Sequence, residues 1–230
     1  LEIHKKIKTL TASLNAQKLG YAYPVISTAD AINVWAIRKA GLGLLMGVGQ
    51  QKKPVAVIED SAVAPSDLFS YTKAISAIMA REKINCVYYG HASVGLLHLR
   101  PELDLAQSED LLLFTALADE IADLVKRFNG SLSGEHGDGR LRGPFLEKMV
   151  GPELYNCHVE IKKAFDPDAI FNPGKILTKE PIDQPLRVAN REGQWQGETG
   201  FDWSGDLGLP DVVEKCNGAA VCRKSAGAGA

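Results

Sequence analysis

His91 and His98 stand at either end of the stretch His91-Ala92-Ser93-Val94-Gly95-Leu96-Leu97-His98. Residues 87–91 and 96–100 both read as strands, and Val94-Gly95 reads as a two-residue hairpin turn with Gly supplying a positive φ. That turn pairs 93 with 96, 92 with 97 and 91 with 98, which sets His91 directly opposite His98 with Cβ atoms roughly 4.5–5.5 Å apart. On the return strand Leu97 and Leu99 face one side, and His98 and Arg100 face the other. The hairpin is therefore expected to turn an apolar face to a core. Its His-His-Arg face suits one divalent metal, or an anion shared with the arginine.

A second segment, Gly134-Glu135-His136-Gly137-Asp138-Gly139, has glycines that let backbone approach a ligand closely. Neighbouring side chains in an extended segment point opposite ways. Glu135 can then ligate a cation while His136 meets a substrate as general base, imidazole being the side chain whose charge changes near neutral pH. His91, His98 and Glu135 form a two-histidine, one-carboxylate set of the kind that holds a divalent cation with open positions. The bland alternatives are a strand-end His91, a packed His98 and a Gly-rich turn with polar fillers. Arg38, Arg100, Arg140 and Arg142 can each clamp a carboxylate bidentately or sit solvated on the surface. Cys86 and Cys157 fall in apolar or helical runs and read as buried thiols. Cys216 and Cys222 flank a Gly-containing loop and are candidate ligands of an iron–sulfur cluster, which needs about four thiolates.

The elements that position these groups alternate in type. Leu1, Ile3, Ile7, Leu10 and Leu14 recur at helical spacing up to Gly20. Ser27 or Thr28 caps a second helix that carries Trp35 and Arg38, and Gly41 and Gly43 stop it. Residues 54–58 read as a strand closed by Glu59-Asp60. Pro65-Ser66-Asp67 opens a helix through Met79. Ser108 caps a long helix with an apolar stripe (Leu111, Leu117, Ile121, Leu124, Phe128) that closes at Gly130. A short strand over 131–133 precedes the acidic Gly-rich segment. Helices over 145–150 and 152–165 lead to turns at Asp166-Pro167 and Asn172-Pro173-Gly174-Lys175. This mixed order with a hairpin predicts an α+β fold, an antiparallel sheet covered on one face by helices. Composition shifts after Thr178, and 181–208 reads as a linker or arm.

At 230 residues and a net charge of −2, the chain shows no nucleic-acid footprint. It contains no apolar run of the roughly 20 residues that span a membrane. Without an export signal and with scattered cysteines, the expected location is a reducing cytoplasm, with peripheral association at the inner membrane face as one option.

Gly90-His91-Ala92-Ser93-Val94-Gly95-Leu96-Leu97-His98, then Ser133-Gly134-Glu135-His136-Gly137, then Phe171-Asn172-Pro173-Gly174-Lys175-Ile176 is similar to the C-terminal part of FAD-linked oxidases. These are the D-lactate, glycolate and D-2-hydroxyglutarate dehydrogenases of the vanillyl-alcohol-oxidase superfamily. Trp35-Ala36-Ile37-Arg38 and Glu59-Asp60-Ser61-Ala62-Val63 fit the same pattern. The tail from Cys216 resembles the opening of the iron–sulfur module fused downstream in large members of the family.

The resemblance implies a ferredoxin-like cap domain over 1–178, and an extension over 179–230 leading into an iron–sulfur module. It implies a divalent metal (zinc, manganese or iron) on His91, His98 and Glu135 that polarises the 2-hydroxyl of a small D-2-hydroxy acid. His136 would take the hydroxyl proton as hydride passes to FAD. Arg38 would anchor the substrate carboxylate, and Asn172, Gly174 and Lys175 would approach the flavin. Cys216 and Cys222 would belong to a 4Fe–4S centre feeding a downstream electron acceptor. FAD would be held mainly by an upstream half, so the chain alone is expected to be inactive; a homodimer is one state open to it. Lactate-type relatives often carry Gly-Asp-Gly-Asn where this chain has Ser93-Val94-Gly95-Leu96, and Asn where Arg100 stands. The extra arginine favours a second substrate carboxylate, as in 2-hydroxyglutarate. The rival readings are a carboxylate-binding metal module without redox role and a flavin-free metallohydrolase.

Overall fold

The computed structural model describes residues 2–47, 51–184, 186, 197–206, 208–216, 218 and 220–223. The chain divides into two compact units, Leu1–Leu44 and Leu45–Ala230. The first carries α1 (Glu2–Ala16) and most of α2 (Thr28–Met46). Leu1, the first residue of the expected stripe, lies outside the described residues. Ser27 caps α2: its hydroxyl oxygen accepts the Asp30 amide at 3.2 Å, and its own O–H donates to the Asp30 carboxylate at 2.7 Å. Gly41 and Gly43 do not stop this helix. Each costs about 1 kcal/mol against Ala, and the leucines and methionine that follow are good helix formers.

The second unit is built on β4 (Leu96–Leu103), the central strand of a small antiparallel sheet. β3 (Cys86–His91) pairs along one edge of it. β2 (Ser61–Ala62) and β1 (Lys53–Pro54) pair along the other. The expected strand over 54–58 is shorter than the pattern suggested. The chain leaves the ladder after the Val55 amide, which donates to the Pro101 carbonyl at 2.9 Å, and Val55, Val57 and Ile58 all turn into the core, which a regular strand with alternating faces does not allow. The expected strand at 131–133 reduces to one bridge, with Ala62 and Ser131 exchanging both backbone hydrogen bonds at 2.8 Å.

Leu99 and Leu103 of β4 pack against α3 (Leu68–Arg81) and α4 (Ser108–Arg127). Tyr71, Ile75, Ile78 and Met79 line the inner face of α3, and Phe114, Leu117, Ile121 and Val125 that of α4. These residues recur every three or four positions, and each fully buried aliphatic or aromatic side chain contributes about 1.5–3 kcal/mol. The architecture is α+β, with helices on the apolar face of the sheet. His98 and Arg100 point to the opposite face, as the alternation along β4 requires.

The hairpin register differs from the expected one. Residues 92–94 form a single 3-10 turn, and Gly95 follows at φ 71°. His91 therefore pairs with Leu96, and Tyr89 with His98. The slip is two residues, so facing is preserved: His91 and His98 become diagonal neighbours on one face, ring centroids 5.6 Å apart. Gly95 is required here, since a Cβ would lie 1.9 Å from the Val63 carbonyl oxygen.

α5 (Leu146–Val150) and α6 (Pro152–Phe165) follow, and the chain then turns back under the Gly-rich segment. Asp166 fastens that turn. Its carboxylate accepts the amides of Ile170 at 2.9 Å and Phe171 at 3.0 Å and pairs with the Lys162 ammonium. Lys162 first, and the two amides after it, hold this carboxyl below the ordinary Asp value. A depressed folded-state pKa gives stability that is present above the unfolded value, about 3.9, and is lost as pH falls through the folded one. Protection of the Ile170 and Phe171 amides from hydrogen exchange is accordingly expected to drop below about pH 4 in the wild type, and to be low and free of that step in Asp166→Asn.

Ile182 is buried in the main core, so the start of the expected arm packs rather than extends. Residues 185, 187–196 and 207 of that arm lie outside the described residues. α7 (Leu209–Glu214) comes next. Cys157 is exposed on α6, contrary to a buried-thiol reading, because it falls on that helix's outer face. Cys86 is half-buried, and burial pushes its thiol up to about 11. Among the described residues no helix is long and apolar enough to cross a membrane.

Candidate functional site

The polar face of the sheet is closed by two loops, one carrying Glu59 and Asp60, the other carrying residues 133–139. His98 lies at its centre, only 3 % exposed. Its Nδ1 is 2.5 Å from the Glu59 carbonyl oxygen. A carbonyl can only accept, so the proton sits on Nδ1 and the Nε2 lone pair faces outward. Tyr89 packs on the ring at 4.9 Å, and the His136 ring stacks on it at 5.3 Å and 11°.

Nε2 faces Glu135, whose Oε1 is the common point of the site. It lies 3.2 Å from Nε2 of His98, 3.3 Å from Nε2 of His136 and 3.7 Å from Nε2 of His91. Glu135 and His136 thus converge instead of pointing apart. The cause is Asp60, which is fully buried. Its carboxylate accepts the backbone amides of Glu135 at 3.1 Å and His136 at 2.9 Å, and the Ser133 hydroxyl at 3.3 Å. Two successive amides aimed at one anion bend the segment into a nest, not a strand. Gly134 adds its amide to the Asp60 carbonyl at 2.8 Å. Arg142 stands behind, 3.8 Å from Asp60, and donates to the Gly137 carbonyl at 2.5 Å. Burial raises the carboxyl of neighbouring Asp138, Arg142 opposing and Asp60 reinforcing the shift.

Glu59 contributes more than its carbonyl. Its carboxylate is ion-paired with the Arg100 guanidinium, and Arg100 Nε donates to the Tyr89 hydroxyl at 2.8 Å. His136 Nδ1 lies 3.7 Å from Glu59 Oε1 and 3.6 Å from Asp60 Oδ1.

The donor set fits a divalent cation. Ligands about 2.0–2.1 Å from a zinc-sized ion stand about 3.0–3.4 Å apart in regular coordination. The separations around Glu135 Oε1 for His98 and His136 fall in that range, and His91 lies just outside it. Donor atoms of Asp60, His98, Glu135 and His136 all lie within 4.8 Å of one another. The carbonyl behind His98 is an acceptor of the kind that orients imidazoles which ligate metals.

The predicted His91, His98, Glu135 and His136 are thus brought together. Arg100 joins them through Glu59. Arg38 lies on α2, in the other unit. Asn172 and Gly174 occupy a turn with φ of 46° and 67°. That segment reaches the site loop through Ile176, whose amide donates to the Gly139 carbonyl at 2.7 Å. Cys216 and Cys222 are exposed near α7, and the Gly218 amide donates to Cys216 Sγ at 3.4 Å; Asn217, Ala219 and Lys224 of their segment lie outside the described residues. Sequence reasoning missed the roles of Asp60, Glu59 and Tyr89. The available signal was an acidic pair at the end of a β-branched run, where a strand bordering a polar site would place it.

An antiparallel sheet with helices on one face and a histidine–carboxylate cluster on the other defines an α+β domain with a cation-competent polar face. The family model for FAD linked oxidases, C-terminal domain, matches residues 2–176, and the chain belongs to that family. It is 35 % identical over 230 residues to a D-2-hydroxyglutarate dehydrogenase of Pseudomonas putida, covering 94 % of the chain and 21 % of that protein. It is 34 % identical over 210 residues to one of Haemophilus influenzae, covering 87 % and 19 %. With the glycolate oxidase subunit GlcD of Bacillus subtilis it shares 30 % over 163 residues, 71 % of the chain and 34 % of the subunit. The chain spans about a fifth of the length of these D-2-hydroxyglutarate dehydrogenases.

Proposed function

We propose that this chain is the substrate-side domain of a flavin-dependent dehydrogenase that oxidises a small D-2-hydroxy acid, 2-hydroxyglutarate foremost, to the 2-oxo acid. The observation that carries the reading is the convergence of three imidazole Nε2 atoms on Glu135 Oε1, with His98 held by the Glu59 carbonyl. When bound, a divalent metal (zinc, manganese or iron) supplies Lewis-acid polarisation of the 2-hydroxyl, and FAD supplies the hydride acceptor.

His91, His98 and Glu135 would hold the metal. His136 receives the hydroxyl proton at Nε2, and the carboxylates of Glu59 and Asp60 facing its Nδ1 stabilise the imidazolium that forms. The family resemblance assigns the substrate's 1-carboxylate to Arg38. Arg100 reaches a second carboxylate only through guanidinium hydrogens not given to Tyr89 and Glu59. Asn172, Gly174 and Lys175 would approach the flavin. Cys216 and Cys222 would supply two of the roughly four thiolates that an iron–sulfur centre needs.

The test is oxidation of D-2-hydroxyglutarate, D-lactate and glycolate by the native full-length protein, reconstituted with FAD and each metal, with a dye as electron acceptor. Turnover of D-2-hydroxyglutarate, falling by about 10²–10⁴-fold in His136→Ala as loss of a general base predicts, supports the reading. The 230-residue chain alone is expected to give none. Ester or amide hydrolysis without flavin, lost in the same variant, would replace the reading with a metallohydrolase.

A further inference from the structure

Asp60 has no exposed surface, so its charge must be met by donors of the protein. Those donors come mainly from one loop. Oδ2 accepts the amides of His136 at 2.9 Å and Glu135 at 3.1 Å, and the Ser133 hydroxyl at 3.3 Å. Oδ1 has the Glu135 amide at 3.3 Å, and the Arg142 guanidinium stands 3.8 Å from Oδ2. The main chain of Asp60 holds the same loop, its carbonyl accepting the Gly134 amide at 2.8 Å. A Cβ on Gly134 would lie 2.4 Å from Leu96 Cδ1, so only glycine lets the loop run this close to β4.

Asp60 is itself held by the sheet. The next two residues, Ser61 and Ala62, pair with Leu97 and Leu96 of β4, the strand that carries His98. Ala62 and Ser131 add both of their backbone hydrogen bonds. One strand thus places His98 directly and, through Asp60, places Glu135 and His136. A site built on such an element is held more closely than one built on loops alone.

Asp60 is also one of four side chains, with His98, Glu135 and His136, whose donor atoms lie within 4.8 Å of one another. Its bonds argue for another task than ligation. They engage the backbone of Glu135 and His136 and leave the Glu135 carboxylate to face the imidazoles. The less engaged oxygen, Oδ1, lies 3.6 Å from Nδ1 of His136, whereas Glu135 Oε1 lies 3.3 Å from Nε2 of the same ring. The two carboxylates therefore stand at different edges of one imidazole.

We infer that Asp60 is the positioning residue of the cation site: its buried carboxylate bends residues 133–136, brings the Glu135 carboxylate to His98, and is not itself a ligand. The inference rests on the reading of His91, His98 and Glu135 as the metal set.

The test needs no turnover. Amide hydrogen exchange of the ¹⁵N-labelled chain is followed with and without zinc, and affinity is read by titration with cobalt(II), whose visible spectrum reports its ligands. In the wild type the Glu135 and His136 amides are expected to be protected with or without zinc. Asp60→Ala removes their acceptor. It is expected to lose that protection and to bind cobalt about 10–100-fold more weakly, as loss of an outer-shell partner does. At saturation its cobalt spectrum is expected to match that of the wild type, because the ligands are unchanged. Asp60→Asn keeps an oxygen for the amides but not the charge, and is expected to fall between the two. Protection of the fully buried Ile121 amide in α4 reports that each variant is folded.

A spectrum altered at saturation in Asp60→Ala would make Asp60 a ligand and overturn the inference. Unweakened cobalt binding in a folded Asp60→Ala would overturn it too, as would wild-type Glu135 and His136 amides that become protected only when zinc is added. If Asp60→Ala does not fold, Asp60→Asn and the wild-type amides decide by the same criteria. Amides protected in the wild type and released in Asp60→Ala, in a chain that binds no cobalt, would uphold the placing of the loop by Asp60 and count against the metal reading alone.

Discussion

Glu135→Gln is expected to lower the affinity for a divalent metal by more than about a hundredfold. Losing an outer-shell partner of a metal ligand costs about 10–100-fold, and here the loss is of the anionic donor itself. Glu135 Oε1 is the atom on which the Nε2 atoms of His98, His136 and His91 converge. An amide oxygen keeps the shape but not the charge, and the amide nitrogen cannot ligate. His98→Ala should cost as much by another route, since it removes the ligand that is already oriented by the Glu59 carbonyl. Metal content of the purified chain and calorimetric titration with zinc or manganese check both. Stoichiometric, unweakened binding in Glu135→Gln would mean that the metal sits on other donors, and the proposed hydroxyl-polarising role would go with it.

The placing of His91 and His98 on one face was legible in the sequence although their register and the turn were not. A four-residue connection with its 3-10 turn replaces the two-residue turn, and the register slips by two. Strand facing has period two, so the error leaves every side chain on its predicted side. The long amphipathic helix over α4 was legible for a related reason: its stripe at 111, 117, 121 and 124 is local and strongly periodic. The direction of Glu135 and His136 was not legible. Their segment looks extended and Gly-rich, and what bends it is a carboxylate from Asp60, far away in sequence and read as the end of a strand and part of the family pattern, not as a partner of this loop. No local pattern carries a contact of that range. The same holds for Glu59, whose carbonyl sets the tautomer of His98; a main-chain acceptor leaves no mark in residue type.

Arg100→Ala is expected to destabilise the chain by about 3–5 kcal/mol, the cost of removing one partner from a buried ion pair. Arg100 is 8 % exposed, and the Glu59 side chain is mostly covered as well. Removing the guanidinium strands the Glu59 carboxylate beside Asp60 and His136, and also frees the Tyr89 hydroxyl from its donor. For a domain of this size the midpoint of thermal unfolding should fall by about 6–20 °C. Arg100→Lys should recover only part, because one ammonium cannot reproduce a fork that serves a phenol and a carboxylate together. Glu59→Gln combined with Arg100→Ala should be milder than Arg100→Ala alone, since the stranded charge is then gone. Thermal melts of the wild type, Glu59→Gln, Arg100→Ala and the double variant, without substrate or metal, complete the cycle. A purely substrate-binding arginine would leave those melts unmoved and raise only KM for a dicarboxylic substrate. A melt unmoved by Arg100→Ala would therefore return the guanidinium to the second carboxylate of 2-hydroxyglutarate, whereas the expected fall makes Arg100 first a support for Glu59, through it for the two histidines, and only secondarily a contact for substrate.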